Sequence, residues 1–364
     1  MIQDDKNIKL SFENMQCFGE GILFPDRNSN EIYLFNLETE QLELFCKIED
    51  EPDYKTNLFG GILVFEKCCY IYPMAAQAIY KIQDQEVYKI DIDNELLMSL
   101  DNRAKFVSAH IWNRKIYLIG TYVPIIMIYD IDCGDISYID YGIGSATMDE
   151  INTRQSLLDE GKIYIPIARM NRVIVFDTET KYIEQREMGC PGNTYISISK
   201  CRDVLYLIPK GKGNVVWWNE ANNKHGEIEF PANFRRVEYG FSGSVTYGGY
   251  VWLFPMNAEG IWKIDIDNCL LIQCEMVPLN LNHVFASLKY KEKLLFFANS
   301  DYQLYVVDDG GASVNAMQII LSDWDSKEYT DRRLNSFFSD SPITIESDLI
   351  NLEHFLRYIK NGGG

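Results

Sequence analysis

Few residues in this chain could move a proton or bind a metal. There are four histidines, His110, His225, His283 and His354. A general base or a metal centre needs several such groups converging on one point, and no spacing here assembles them, so no metal site and no cofactor is expected. His110 lies in an apolar run and reads as a satisfied core residue, His225 sits in the polar stretch NNKHGE, and His354 falls in the C-terminal tail. His283 opens an apolar run, and an enzyme built on this chain would use it together with Arg154 and Tyr195. The nine cysteines are odd in number and form no C-x-x-C pair. They read as reduced, buried thiols rather than as a disulfide framework. Strand alternation would point the adjacent Cys68 and Cys69 to opposite faces.

Cationic and amide side chains offer a different chemistry. Arg27, Asn30, Lys105, Arg154, Arg169, Asn171, Lys210, Lys212, Asn214 and Arg235 all lie in short polar stretches that end or precede apolar runs. Guanidinium, ammonium and amide donors are the groups that hold a carboxylate or phosphate. Asp26, Glu259 and Asp301 share these stretches and dilute the field. A second set, Asp91, Asp130, Asp177, Asp265 and Asp308, recurs too regularly for one site and reads as turn-forming side chains that accept from nearby backbone N–H groups.

What would position these residues is a repeat. Apolar runs meet a proline at Pro25, Pro73, Pro166, Pro209 and Pro255, and degenerate copies end at Gly120 and Ala298, with steps of about 43 to 48 residues. Some 13 residues earlier stands an aromatic-x-small column: Phe59-Gly60-Gly61, Phe106-Val107-Ser108, Tyr195-Ile196-Ser197, Phe241-Ser242-Gly243 and Phe285-Ala286-Ser287. The fourth unit carries Arg154-Gln155-Ser156 there, and the first is obscure near Phe12. After each anchor follow a polar loop and an alternating run: EIYLFN, VYKIDI, IMIYDI, VIVFDT, VVWWNE, IWKIDI and QLYVVD. Period-two alternation excludes a helical solenoid, and a four-stranded unit buries both faces only when stacked radially on its neighbours. The chain is therefore expected to be all-β, a seven-bladed β-propeller of four-stranded blades over residues 8–321. The second unit is long, and residues 75–85 are expected to extend the hairpin between its second and third strands. Residues 322–364 break the pattern and end in an amphipathic helix of about 348–360, with Ser347 as N-cap. That helix would dock on the propeller or contact a partner.

In such a ring the loops between second and third strands share one face with those entering the inner strands, so the cations and amides above would gather on one rim. The net charge of −19 disfavours nucleic acid and anionic membranes as partners. No apolar run reaches the roughly 20 residues of a membrane helix. The start MIQDDKNIKL shows no secretory pattern, which points to a cytoplasmic protein.

The units at residues 205–219 (LYLIPKGKGNVVWWN) and 21–36 (GILFPDRNSNEIYLFN) resemble the blades of bacterial kelch-like and streptogramin-lyase-like propellers. Both show an apolar-aromatic run, a polar loop with Asn, and an I-x-x-[FY]-[DN] strand. The resemblance implies architecture across most of the chain. It does not extend to the double glycine of true kelch blades, since Gly60-Gly61 and Gly248-Gly249 stand elsewhere. Nor does it supply the histidine and acidic groups that the lyase relatives set around a metal, so no catalytic residue carries over. The expected function is non-enzymatic binding of a peptide or protein partner, anionic where it meets the rim. The alternative is a lyase or hydrolase acting on a small anionic or glycan substrate in the axial mouth.

Overall fold

The computed structural model describes residues 9–53, 55–100, 103–143, 154–211, 213–308, 310–321 and 329. It contains seven four-stranded antiparallel sheets, each made of four strands consecutive in sequence. Blade 1 comprises β1 (Gln16–Phe18), β2 (Gly21–Pro25), β3 (Glu31–Asn36) and β4 (Leu42–Lys47). Blade 2 comprises β5 (Phe59–Phe65), β6 (Cys68–Pro73), β7 (Ala78–Gln83) and β8 (Glu86–Asp91), and blade 3 β9 (Phe106–Trp112), β10 (Lys115–Gly120), β11 (Ile125–Asp130) and β12 (Ile136–Asp140). Blade 4 comprises β13 (Leu157–Asp159), β14 (Lys162–Pro166), β15 (Arg172–Asp177) and β16 (Ile183–Glu187), and blade 5 β17 (Tyr195–Cys201), β18 (Val204–Pro209), β19 (Val215–Asn219) and β20 (Lys224–Ile228). Blade 6 comprises β21 (Phe241–Tyr247), β22 (Tyr250–Pro255), β23 (Trp262–Asp265) and β24 (Leu270–Gln273), and blade 7 β25 (Val284–Tyr290), β26 (Lys293–Ala298), β27 (Gln303–Asp308) and β28 (Ser313–Gln318).

The core lies between blades. Each seam holds one hydrophobic cluster, seven among the described residues, and every cluster draws on two neighbouring sheets. The middle strands supply most of it, which is why runs such as VLYLIP of β18 are apolar at nearly every position rather than alternating. Alternation survives on the outer strands, where one face reaches solvent, as in LLIQ of β24. Turns between third and fourth strands are closed by acidic or amide side chains. The Asp177 carboxylate accepts from the backbone N–H of Glu179 (3.0 Å) and Thr180 (2.8 Å), and Asp130, Asp265 and Asn36 act alike.

Three expectations are corrected. The run VYKIDI is not the third strand of blade 2 but its outer strand, β8, and the third strand is Ala78–Gln83. Asp91 consequently ends an outer strand and leaves the turn-forming set. No hairpin is extended at residues 75–85; the added length follows β8 and includes a one-turn helix, α1 (Glu95–Met98), capped by Asn94. The thiols are free, but Cys133, Cys190 and Cys269 are exposed, because they stand in turns rather than in the apolar strands.

Among the described residues the ring closes without exchanging a full strand. Lys9 bridges Ile320 in antiparallel fashion beyond β28. Phe12 is fully buried and stacks at 4.0 Å on Phe24 of blade 1 and at 4.0 Å on Phe297 of blade 7. Ser11 Oγ donates to Asn299 Oδ1 (2.5 Å) across the same seam. Beyond the ring, the buried Tyr329 packs into this seam and its hydroxyl donates to Asp26 (2.7 Å). The amphipathic tail expected at 348–360 lies outside the described residues.

Candidate functional site

The aromatic-x-small column marks a β-bulge at the start of five inner strands. In β5, β9, β17 and β21 the aromatic and the small residue pair with the second strand while the residue between them is skipped: Gly60, Val107, Ile196 and Ser242. In β25 the pairing residues are Val284 and Ala286, so the skipped residue is Phe285. The column predicted for blade 7 is thus out of register by one. A bulge re-aims the side chain it expels. Here it presents a phenyl ring, half-buried, at the mouth of the ring.

Blades 1 and 4 lack the motif, and their inner strands are the shortest, three residues each. The residues that would have extended them turn inward instead. Arg154, ahead of β13, reaches Glu13, ahead of β1, at 3.1 Å, and its guanidinium lies 4.4 Å over the Phe285 ring. Blade 4 stands opposite the seam of blades 7 and 1, so this side chain spans the axis. Its neighbour Gln155 crosses to blade 6, where its amide donates to the carbonyl of Ser244 (2.8 Å) and accepts from the N–H of Ser244 (2.8 Å). Asn14 accepts from the N–H of Ile62 in blade 2 (3.1 Å). The free edges of the inner strands thereby find partners that a strand would otherwise supply. Gly243 leaves room for this: a Cβ there would stand 2.9 Å from Gln155 Oε1.

Glu13 also meets Arg27, whose Nε lies 3.5 Å from Oε1 and donates to Asn57 Oδ1 (2.7 Å). Two guanidinium groups from opposite sides of the ring therefore converge on one carboxylate. Arg27, Arg154 and Glu13 remain partly open, with side-chain exposures of 37%, 22% and 14%. His283 precedes β25 in a left-handed conformation (φ 52°), is exposed, and sets its ring 6.0 Å from Phe285.

The other residues expected on the rim are placed as follows. Asn30 is buried and donates to the carbonyls of Ile48 (2.9 Å) and Glu51 (2.6 Å), so it pins a loop. Lys105 is fully buried. Lys210 is buried too, 3.3 Å from Glu238 and 4.0 Å over the Tyr239 ring. Asn214 bridges Glu227 (2.9 Å) and Arg236 (2.8 Å), and Arg235 lies 4.0 Å from Glu259. Arg169 is exposed with no polar partner among the described residues, and Asn171 is half-buried. Lys212 lies outside the described residues. Tyr195 is core: fully buried, donating to the Met188 carbonyl (2.7 Å), its hydroxyl pushed up to about 12 by burial. It is withdrawn from any acid-base set. The rim is thus a series of ion-paired stations rather than an open cationic field, because Glu13, Glu227, Glu238 and Glu259 stand among the cations. Glu13, Asn14 and Asn57 escaped notice in the sequence, and Gln155 and Phe285 were read only as members of the aromatic-x-small column, although the two units that broke that column pointed to the side chains that plug the axis.

His110 is satisfied by Ser156 Oγ (2.8 Å) between the inner strands of blades 3 and 4, and burial lowers it to about 4. Among the described residues no three His, Cys, Asp or Glu side chains converge as a metal site.

No family model matches the sequence, and no curated protein matches it. Solved structures do match. Virginiamycin B lyase from Staphylococcus aureus superposes with a TM-score of 0.61 at 13% identity, over 80% of this chain and 94% of that one. A catalytically inactive variant of that enzyme with quinupristin matches at 0.61 and 12% identity, over 82% and 94%. The extracellular domain of a protein described as a one-component system of B. thetaiotaomicron matches at 0.57 and 10% identity, over 86% of this chain and 39% of that one. At these identities the likeness is one of fold: this chain shares the propeller architecture of the streptogramin lyases and of that extracellular domain.

Proposed function

We propose that this protein is a binding propeller that holds a peptide or protein partner on its loop-bearing face and seats an anionic group of that partner over the axial guanidinium of Arg154. One observation carries the reading: Arg154 is oriented by Glu13 and Phe285 at the centre of the mouth, yet its Nε and Nη1 donate to no group among the described residues. A guanidinium held in place loses little freedom on binding, and a carboxylate matches its fork. Exposed Arg169, in the neighbouring loop of blade 4, adds a cation with no polar partner among the described residues. The test is titration of a labelled acidic peptide and a matched basic one, followed by anisotropy. Selective binding of the acidic peptide, weakened about tenfold or more by Arg154→Met at unchanged melting temperature, is expected. Equal affinity for both peptides, or indifference to the substitution, removes the reading.

The exposed His283 beside Phe285 supports a second reading, an enzyme acting on a small anionic or glycan substrate in the same mouth. The likeness to virginiamycin B lyase supplies one substrate to try. Loss of intact quinupristin, the compound held by the inactive lyase variant, on incubation and its abolition by His283→Ala would favour catalysis in the mouth, and unchanged quinupristin removes streptogramin cleavage from this reading.

A further inference from the structure

We infer that Glu13 is a built-in stand-in for the ligand: it occupies a carboxylate site formed by Arg27 and Arg154, and an acidic side chain or chain terminus of the partner replaces it on binding. This rests on the proposed binding function and specifies its chemistry.

Several features set Glu13 apart from an ordinary surface ion pair. Its two oxygens face different guanidinium groups, Oε1 toward Arg27 and Oε2 toward Arg154, which reach it from opposite sides of the ring. Each cation is held by a second contact independent of Glu13, Arg27 by Asn57 and Arg154 by the Phe285 ring. The two cations would therefore stay facing each other if Glu13 left, and two like charges at close range demand an anion between them. Glu13 itself is not locked. It belongs to neither β1 nor β2, its side chain accepts from no backbone N–H among the described residues, and it remains partly exposed to the mouth. Its neighbours differ, for Phe12 is stacked in the seam and Asn14 is bonded to Ile62. Glu13 is the one side chain of the plug that can swing out while the backbone stays anchored. A bare pair of guanidinium groups would attract small anions unselectively, and an internal carboxylate suppresses this. An occupant of this kind raises the apparent dissociation constant by the reciprocal of the fraction of time it leaves the site open.

The experiment uses two peptides of one sequence, one with a single Glu and an amidated end, the other with Gln there and a free C-terminal carboxylate. Each is titrated against the wild-type protein, Glu13→Gln and Arg154→Met. Displacement of Glu13 predicts that Glu13→Gln binds at least one peptide about tenfold tighter than wild type while Arg154→Met loses it, and the preferred peptide identifies the source of the carboxylate. If Arg154→Met loses binding but Glu13→Gln gains none, Glu13 is a fixed wall of the site and this inference fails while the binding reading stands. If neither peptide binds any of the three proteins, both fail. Matching urea midpoints guard against misfolded variants, and Glu13→Asp, whose shorter arm reaches the two cations less well, should also bind the preferred peptide more tightly than wild type; weaker binding there overturns the displacement.

Discussion

His110 shows how a single side chain can be chemically conspicuous and functionally silent. Its ring is buried between two inner strands, bonded to Ser156, and burial lowers it from 6.5 to about 4. In the window between those values the unfolded chain takes up the proton and the folded one does not. Stability is therefore full above about 6.5 and falls as pH drops toward 4, flattening below it. The loss should amount to roughly 3 kcal/mol, and it should vanish in His110→Gln when urea midpoints of the two proteins are compared across that window. A pH profile identical in both proteins would contradict the burial account. His283 is the reverse case: an exposed ring at the mouth, with no chemistry assigned by spacing alone. That one histidine is core and the other lies on the rim was legible, because the first sits inside an apolar run and the second at its edge. Tyr195 was misplaced among the candidates because its loop-adjacent position in sequence hides a side chain that pairs in the sheet beside the bulge at Ile196 and faces the core.

At the level of the strand, the inner edge of each blade carries unpaired backbone groups facing the axis, and the way they are satisfied determines what the mouth looks like. Gln155 acts as a two-atom strand against Ser244, donating and accepting at 2.8 Å. Gln155→Ala removes both bonds at once and should cost about 1–3 kcal/mol in chemical denaturation, whereas Gln155→Glu keeps an acceptor but no donor and should fall between. A neutral result would mean that water replaces the amide without loss. The bulge has an analogous consequence in β25. Phe285→Ala should preserve the blade, since Val284 and Ala286 make the strand pairs, but should free Arg154 and weaken acidic-peptide binding several-fold by anisotropy. The third strand of blade 2 was misread for a physical reason as well: AIYKIQ and VYKIDI are both good alternating strands, and choosing between them requires knowing which one has a neighbour on each side.

For the whole molecule, closure is the weak point of any ring, and among the described residues it rests on a stack of three aromatic rings and the Lys9–Ile320 bridge. Phe12→Ala empties a fully buried site between blades 1 and 7 and should cost about 3–5 kcal/mol, with the loss appearing as faster hydrogen exchange in those two blades before global unfolding. Uniform exchange across all seven blades would show that the seam is no weaker than the rest. The sequence by itself determined the number of blades, the four-stranded unit and the face on which the loops gather, because these follow from a repeat period and from alternation, which are local properties of the chain. Only the tertiary structure decided that Glu13, Arg27, Arg154 and Phe285 meet at the axis. They come from three blades, and their meeting depends on two inner strands that stop short and on one bulge displaced by a residue. No pattern in a linear chain encodes the distance between groups that the closing of a ring brings together.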